Sequence, residues 1–279
     1  LNTIIFQGLD VQKMSKGVLI VALNSTTDQK NELDYIRLAQ INARLIRKHL
    51  RLPVGIITDV GADGFDEFVF MSKAPATDRH ITLNNKHESY AWHNDYRRQL
   101  FHFSPFEKTL LLDADYLIQS DRFLQCFDFD APFQIIKDVH DPTGRNSFDK
   151  YKSLPNRTIP QKWATAIYWN REAKEHFEYA NMIAENYQYY ARIFGFNPTQ
   201  YRNDMVFSVV SHMLPSYDIP FKMWMASADC TIDSANNKGI KIKYGNNVQR
   251  IDNDIHLLNK DIMRTSNLDM LDKWSLADD

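Results

Sequence analysis

Two aspartates one residue apart, Asp113 and Asp115, follow directly on the run Thr109-Leu-Leu-Leu112. Residues two apart in an extended chain point the same way, so both carboxylates can face one hard cation or its water shell. Mg²⁺ commonly uses one or two carboxylates together with substrate phosphates. Two further polar groups come late in the chain: Asp204 within Arg202-Asn-Asp204, and His256 with Lys260 four residues on. An imidazole beside carboxylates suits Mn²⁺ better than Mg²⁺. Plainer readings exist for each. The acids could simply end a strand in solvent, His256 could bond a turn, and Asp204 could favour a helix N-terminus.

What must position these groups is a sheet. Thr109–Leu112 is too short for a helix and too apolar for a loop, and reads as a strand buried on both faces. Sheets of this kind bind ligands outside the carboxyl ends of their strands, where the Asp pair falls. Residues 18–23 form an earlier apolar strand, followed from about Asp34 by a helix carrying Leu38, Ile41, Leu45 and Leu50 to a stop at Pro53. Val54–Asp59 and Phe68–Met71 are further strands, and this β-α-β alternation predicts a parallel, Rossmann-like start. Residues 72–94 read as a polar loop or lid, and Asp95–Phe103 as a short helix bearing Arg97 and Arg98. After the Asp pair come a helical turn around Asp121–Phe127 and a strand at Phe133–Ile136. Residues 138–162, with Pro142, Pro155, Pro160 and Gly144, read as a long surface excursion. Trp163–Trp169 returns to strand, 171–194 is the longest helical pattern, and a second helix starts near Tyr201. Tyr189, Tyr190 and the region of Trp224 are expected in the core. Phe221–Met225 and Ile240–Tyr244 are late strands.

Composition limits the options. The 279 residues are 44% apolar and 24% charged with a net charge of −2, which excludes global disorder and an overall basic, nucleic-acid-gripping chain. Cys126 and Cys230 stand alone, which predicts a reducing compartment and no cysteine-based zinc site. No apolar run has the length of a membrane span, and no signal peptide is evident. Residues 1–13 read as a tail or added segment ahead of a single unit over 14–279. No glycine fingerprint follows the first strand, where Asn24-Ser25-Thr26 stands, so dinucleotide binding is disfavoured.

The buried strand ending in Asp-Ala-Asp, with the late acidic motif and the His256/Lys260 pair, resembles the GT-A glycosyltransferases. Within them it resembles the glycogenin-like retaining branch and glycosyltransferase-like proteins of tailed phages. The resemblance covers roughly residues 17–260. It implies an α/β GT-A (Rossmann-like) mixed sheet flanked by helices, and a sugar transferred from a nucleotide-sugar donor, a UDP-sugar by this likeness. It implies Mn²⁺ or Mg²⁺ on Asp113, Asp115 and His256, and a catalytic role for Asp204. Tyr35 would lie near the nucleotide base, and Arg97, Arg98 and Lys260 near phosphate or sugar. The chain departs from the pattern where Trp163-Ala-Thr-Ala-Ile167 replaces an Asn-Ser-Gly strand and where the first strand lacks an Asp-Asp. Sugar and stereochemical outcome are therefore left open. A divalent ion bridging the diphosphate meets the charge that builds as the glycosidic bond breaks.

For the acceptor, the phage likeness implies a hydroxymethylated base in phage DNA and a cytoplasmic location, that of the host if phage-encoded. Lys73, Arg79, Lys86, Lys137, Arg145, Lys150, Lys152 and Arg157 would form a backbone-gripping rim, and Trp92, Tyr151 and Trp163 a stacking surface. The alternatives are a carbohydrate- or protein-directed glycosyltransferase, a haloacid-dehalogenase-type phosphoryl transferase, or a binding module without turnover. The dehalogenase type expects its Asp pair at the first strand and a Thr or Val where this chain has Leu117.

Overall fold

The computed structural model describes residues 14–23, 34–70, 77–83, 86–92, 94–263 and 265–277. In chain order the first half comprises β1 Met14–Val21, α1 Tyr35–Leu50, β2 Val54–Thr58, β3 Glu67–Phe70, β4 Thr77–Leu83, β5 Lys86–Trp92, α2 Leu100–Phe103, β6 Phe106–Asp113, β7 Tyr116–Leu117, α3 Leu124–Phe129 and β8 Phe133–Ile136. There follow β9 Val139–His140, β10 Trp163–Trp169, α4 Lys174–Glu185, α5 Tyr187–Phe194, α6 Asn203–Met213, β11 Tyr217–Asp218, β12 Met223–Ala226, β13 Thr231–Asn236, β14 Gly239–Tyr244, β15 Asn247–Ile251, β16 Ile255–Leu257 and α7 Thr265–Leu276. The expected tail at 1–13 and the turn at Asn24–Thr26 lie outside the described residues.

Seven strands form the main sheet in the order β11-β8-β10-β6-β1-β2-β3. The first four strands of the argument, β6-β1-β2-β3, are parallel as expected. The sheet as a whole is mixed, because β10 runs antiparallel to both β6 and β8. Strands β1 and β6 are buried on both faces at Val18–Ile20 and Leu110–Leu112, which is why they read as continuous apolar runs. One core packs α1 and the C-terminal strands on one face of the sheet; a second packs α4, α5 and α6 on the other.

Helix α1 begins where Asp34 accepts the Arg37 N–H at 2.9 Å. It ends at Arg51, whose φ of 54° turns the chain left-handed two residues before Pro53. Its polar core residue Asn42 is fully buried and grips β7 from the side, donating to the Tyr116 carbonyl at 2.7 Å. A second sheet, β7-β16-β12-β9, stands beside the first and brings the C-terminal strand β16 against β7.

Several expectations change. The segment read as an irregular loop at 72–94 contains an antiparallel pair, β4 with β5, because residues 77–83 and 86–92 match in length and register across a short connection. The 138–162 excursion is anchored, since Leu154, Ile159 and Gln161 are buried and Phe148 reaches the core. The pattern over 171–194 is two helices, parted at Asn186. Tyr189 is 63% exposed, contrary to its expected core position, because it falls on the outer face of α5. The β13-β14-β15 meander surrounds the predicted strand at 240–244 with two exposed partners that the hydrophobic pattern did not mark.

Candidate metal and donor site

Strand β6 delivers Asp113 at its last residue, and the chain turns through Ala114 and Asp115 into β7. Pairing of β16 with β7 sets His256 opposite Tyr116, one residue beyond Asp115. The imidazole Nε2 thereby comes 3.1 Å from Asp115 Oδ1 and 3.7 Å from Asp113 Oδ2. One donor atom from each of Asp113, Asp115 and His256 lies within 4.8 Å of the others, a spacing that fits a single divalent cation. Two carboxylate oxygens and an imidazole nitrogen, two of the three residues buried, are a donor set suited to Mn²⁺ or Mg²⁺. Residues 141 and 145 positions apart in sequence meet here, His256 and Lys260 with Asp115.

Lys260, on a short 3-10 turn after β16, donates to Asp115 Oδ2 at 2.8 Å, and its ammonium lies 5.7 Å from the centre of the Tyr35 ring. Tyr35, the first residue of α1, thus borders the site through Lys260. Burial works to raise the Asp115 pKa, yet the Lys260 ammonium and the His256 imidazole outweigh it and hold the carboxyl far below its ordinary range. Asp115 is therefore ionised at any pH near neutrality.

Arg97 is almost fully buried, which a solvated helix face would not be. Its guanidinium donates to Asp113 Oδ1 and to the Ala164 carbonyl of β10. Burial lowers its pKa to about 10, against the pull of Asp204 and Asp115, so it stays charged. Asp204 lies in the first turn of α6 and accepts the Ala164 N–H at 2.8 Å, with Arg202 at 3.1 Å on its other oxygen. Asp204 and Arg97 therefore hold the two β10 peptide groups on either side of Ala164. Arg98 points elsewhere: it donates to Asn181 of α4 at 2.8 Å, and among its described contacts none is to the Asp pair.

One participant was not singled out in sequence. Thr165 of β10, only 3% exposed, donates to Asp113 Oδ2 and places its hydroxyl 3.2 Å from both ring nitrogens of His256. Its signal was available only as the unusual Trp163-Ala-Thr-Ala-Ile167 segment, read there as a departure from a pattern.

Of the groups named for a nucleic-acid surface, Lys137, Arg145 and Lys152 lie in ion pairs, while Lys150 and Arg157 are exposed. Lys137 lies 3.7 Å from Asp218 and Lys152 2.8 Å from Asp149. Arg145 pairs with Asp229 at 2.7 Å and lies over the Tyr244 ring at 3.6 Å. Trp163 is buried edge-on against Phe148 and Tyr151, so it packs the core rather than presenting a free ring. The side chains of Lys73, Arg79, Lys86 and Trp92 lie outside the described residues. Among the described residues no helix is long and apolar enough to cross a membrane.

No family model and no curated protein matches the chain. Solved structures similar to it include mouse xyloside xylosyltransferase 1 in its apo form, at 11% identity and a TM-score of 0.45 over 74% of this chain and 84% of that one. The galactosyltransferase LgtC in complex with donor and acceptor sugar analogues matches at 11% identity and a TM-score of 0.45, over 72% of each chain. A Bacillus anthracis structure named as a glucose-1-phosphate thymidylyltransferase matches at 10% identity and a TM-score of 0.44, over 75% of this chain and 87% of that one. At these scores the likenesses assign neither a family nor a reaction.

Proposed function

We propose that this chain is a metal-dependent GT-A glycosyltransferase, residues 14–279 acting as one domain, that moves a sugar from a nucleotide-sugar donor to a hydroxyl acceptor. The observation that carries this reading is the meeting of Asp113, Asp115 and His256 at the carboxyl end of β6, with Lys260 on the same carboxylate. Bound by these three residues, Mn²⁺ or Mg²⁺ would neutralise the charge that develops on a leaving diphosphate. Lys260 is half exposed and supplies a mobile point charge for the same phosphates. Tyr35, bordering Lys260, is assigned to the nucleotide base, which favours a UDP-sugar-sized donor.

Asp204 is assigned to the sugar or acceptor side. It and Arg97 hold the two β10 peptide groups on either side of Ala164, so their first effect is on the shape of the sugar-facing wall. Arg98 is assigned to the donor only through the same segment, since its described contacts lie with α4. A saccharide or protein hydroxyl is favoured as acceptor over a base in DNA. Trp163 is committed to the core, so it offers no free ring on which an extruded base could stack.

The test is a panel of nucleotide sugars with Mn²⁺ and with chelator, read by donor hydrolysis and by thermal shift, since a ligand of the native state raises apparent stability. The expected result is one donor hydrolysed only with metal, and a loss of at least about 100-fold in turnover with Asp115→Asn, in line with removal of a charge-stabilising group. Metal-independent hydrolysis, or an Asp115→Asn protein of native activity, would remove the assignment. Duplexes containing cytosine or hydroxymethylcytosine, followed by base mass, belong in the acceptor panel; a mass gain there would restore the DNA reading. Hydrolysis of a generic phosphate ester in place of any nucleotide sugar would favour phosphoryl transfer.

A further inference from the structure

The β13-β14-β15 meander is a sheet of its own, and its two faces differ in chemistry. Ile240, Ile242 and Ile251 point inward and are buried in the core. Side chains alternate across a strand, so Lys241 and Lys243 of β14 stand on the outer face. The pairing of β14 with β15 sets Arg250 opposite Lys241 and Val248 opposite Lys243. Cross-strand partners share a face, which therefore carries three cations around an apolar side chain, Val248, that is 48% exposed. Lys238 adds a fourth cation at the exposed turn between β13 and β14.

Among the described residues none of these four cations has a carboxylate partner. The nearest acids in sequence leave them unpaired. Asp233 lies at the irregularity of β13 between Ile232 and Ser234, and Asp252, past the end of β15, accepts from Asn253 at 3.0 Å. Like charges directly opposite across a ladder repel, and Lys241 against Arg250 is such a pair. Lysines at a sheet edge commonly guard against unwanted strand pairing, but β14 is the middle strand, with β13 and β15 on either side. The face therefore bears unrelieved positive charge within a chain whose net charge is −2. The exposed valine among the cations discriminates between anionic partners. A phosphodiester backbone is gripped by charge and hydrogen bonds and gains little from an isopropyl group. A bilayer of acidic phospholipids attracts the cations and also takes apolar side chains into its headgroup boundary.

We propose that the outer face of the meander is a peripheral docking surface for an acidic phospholipid bilayer, with Lys241, Lys243 and Arg250 meeting the headgroup phosphates and Val248 entering the headgroup layer. The inference is independent of the metal and donor assignments, since none of these residues belongs to the cluster of Asp113, Asp115 and His256.

The experiment is sedimentation of the full chain with vesicles of phosphatidylcholine alone and of phosphatidylcholine mixed equally with phosphatidylserine. Wild-type binding should be confined to the acidic vesicles and weaken as salt is raised, because screening shortens the reach of the charges. Each Lys or Arg held near an acidic surface strengthens partitioning about 5-fold, so the triple variant Lys241→Gln/Lys243→Gln/Arg250→Gln should lose about 100-fold. Val248→Asp, which removes the apolar group and adds a repelled charge, should lose at least about 5-fold. The control Arg171→Gln/Lys174→Gln/Arg192→Gln neutralises three exposed cations elsewhere and should bind as the wild type does. The first triple variant should melt no lower than the wild type, since exposed Gln keeps the stem of the side chain and the repulsion between positions 241 and 250 is gone. Equal partitioning of the wild type and that variant, or no binding of the wild type to acidic vesicles, would overturn the proposal. Duplex DNA, followed alongside by fluorescence anisotropy, separates the other anionic partner. DNA binding that is lost in the same variant, without vesicle binding, would overturn the bilayer in favour of nucleic acid.

Discussion

Strands β6 and β16 both deliver residues to the cluster of Asp113, Asp115 and His256, and they are held by different means. β6 lies between β1 and β10, with Leu110, Leu111 and Leu112 buried on both faces. Its position is over-determined by apolar contact, because a slip of one residue would have to move a whole buried run. β16 has three residues. Its place is set by Asp254, fully buried just ahead of it, which accepts the backbone N–H groups of Gln119 and Ser120 at 2.6 and 2.8 Å, and the Arg122 guanidinium at 2.9 Å. Arg122 also donates to the Lys222 carbonyl at 3.3 Å, close to the start of β12, and lies over the Phe221 ring at 4.5 Å. One half of the site therefore depends on hydrophobic burial spread over many residues, the other on a compact polar knot.

The sharpest way to break this contrast is at the knot. Asp254→Ala leaves Arg122 without its buried partner and two backbone donors unsatisfied, and loss of one member of a buried pair costs about 3–5 kcal/mol. Urea denaturation should show that loss, and Mn²⁺ affinity should fall with it, because His256 follows Asp254 by two residues. Native stability in this variant would mean that β16 is held by its apolar neighbours, and the contrast would dissolve.

The large sheet should respond to crowding instead. A Cβ at Gly17 of β1 would meet the buried Phe106 ring of β6, so Gly17→Ala forces that ring out of its packed position between the two parallel strands. Overpacking of this kind costs about 1–3 kcal/mol. The change should lower the urea midpoint with the denaturant slope unaltered, and Mn²⁺ affinity should change less than in Asp254→Ala.

A smaller, pH-dependent effect belongs to the outer face of the large sheet. His176 of α4 stacks on Phe133 with ring centres 4.6 Å apart and bonds the Pro215 carbonyl at 3.0 Å. Burial lowers its pKa below the usual 6.5, with Pro215 and Glu175 pulling weakly the other way. The folded chain then holds the neutral ring. Above pH 6.5 both states are neutral and the contribution is complete; as pH falls below it, the unfolded chain takes up a proton the folded chain refuses, and stability declines toward the folded pKa. Melting temperatures across this range should fall less steeply in His176→Gln than in the wild type, and equal slopes would assign the acid sensitivity to other groups.

Much of the large sheet was legible because burial on both faces leaves an unbroken apolar run, as in Leu110–Leu112, and because Asp34 and Pro53 mark the ends of α1 by local chemistry. The Asp pair was legible for the same reason, since its position follows from the strand ahead of it. The antiparallel placement of β10 was not, because strand direction leaves no trace in a fully buried heptapeptide such as Trp163–Trp169. Strands β13 and β15 were missed because half-exposed strands dilute the apolar signal.

Within the site, sequence alone determined residue types suited to a cation and the strand end at which two of them would stand. Only the tertiary structure decided that His256 and Lys260, 141 and 145 positions from Asp115, complete the group. It likewise turned Arg97 inward onto Asp113 and Arg98 toward α4, although the two are adjacent and chemically identical. The physical reason is that pairing between distant strands, and the burial of a charge against one particular partner, depend on which surfaces meet. A local pattern carries the period of an element and the chemistry of its ends, and it carries no record of the neighbour that will satisfy them.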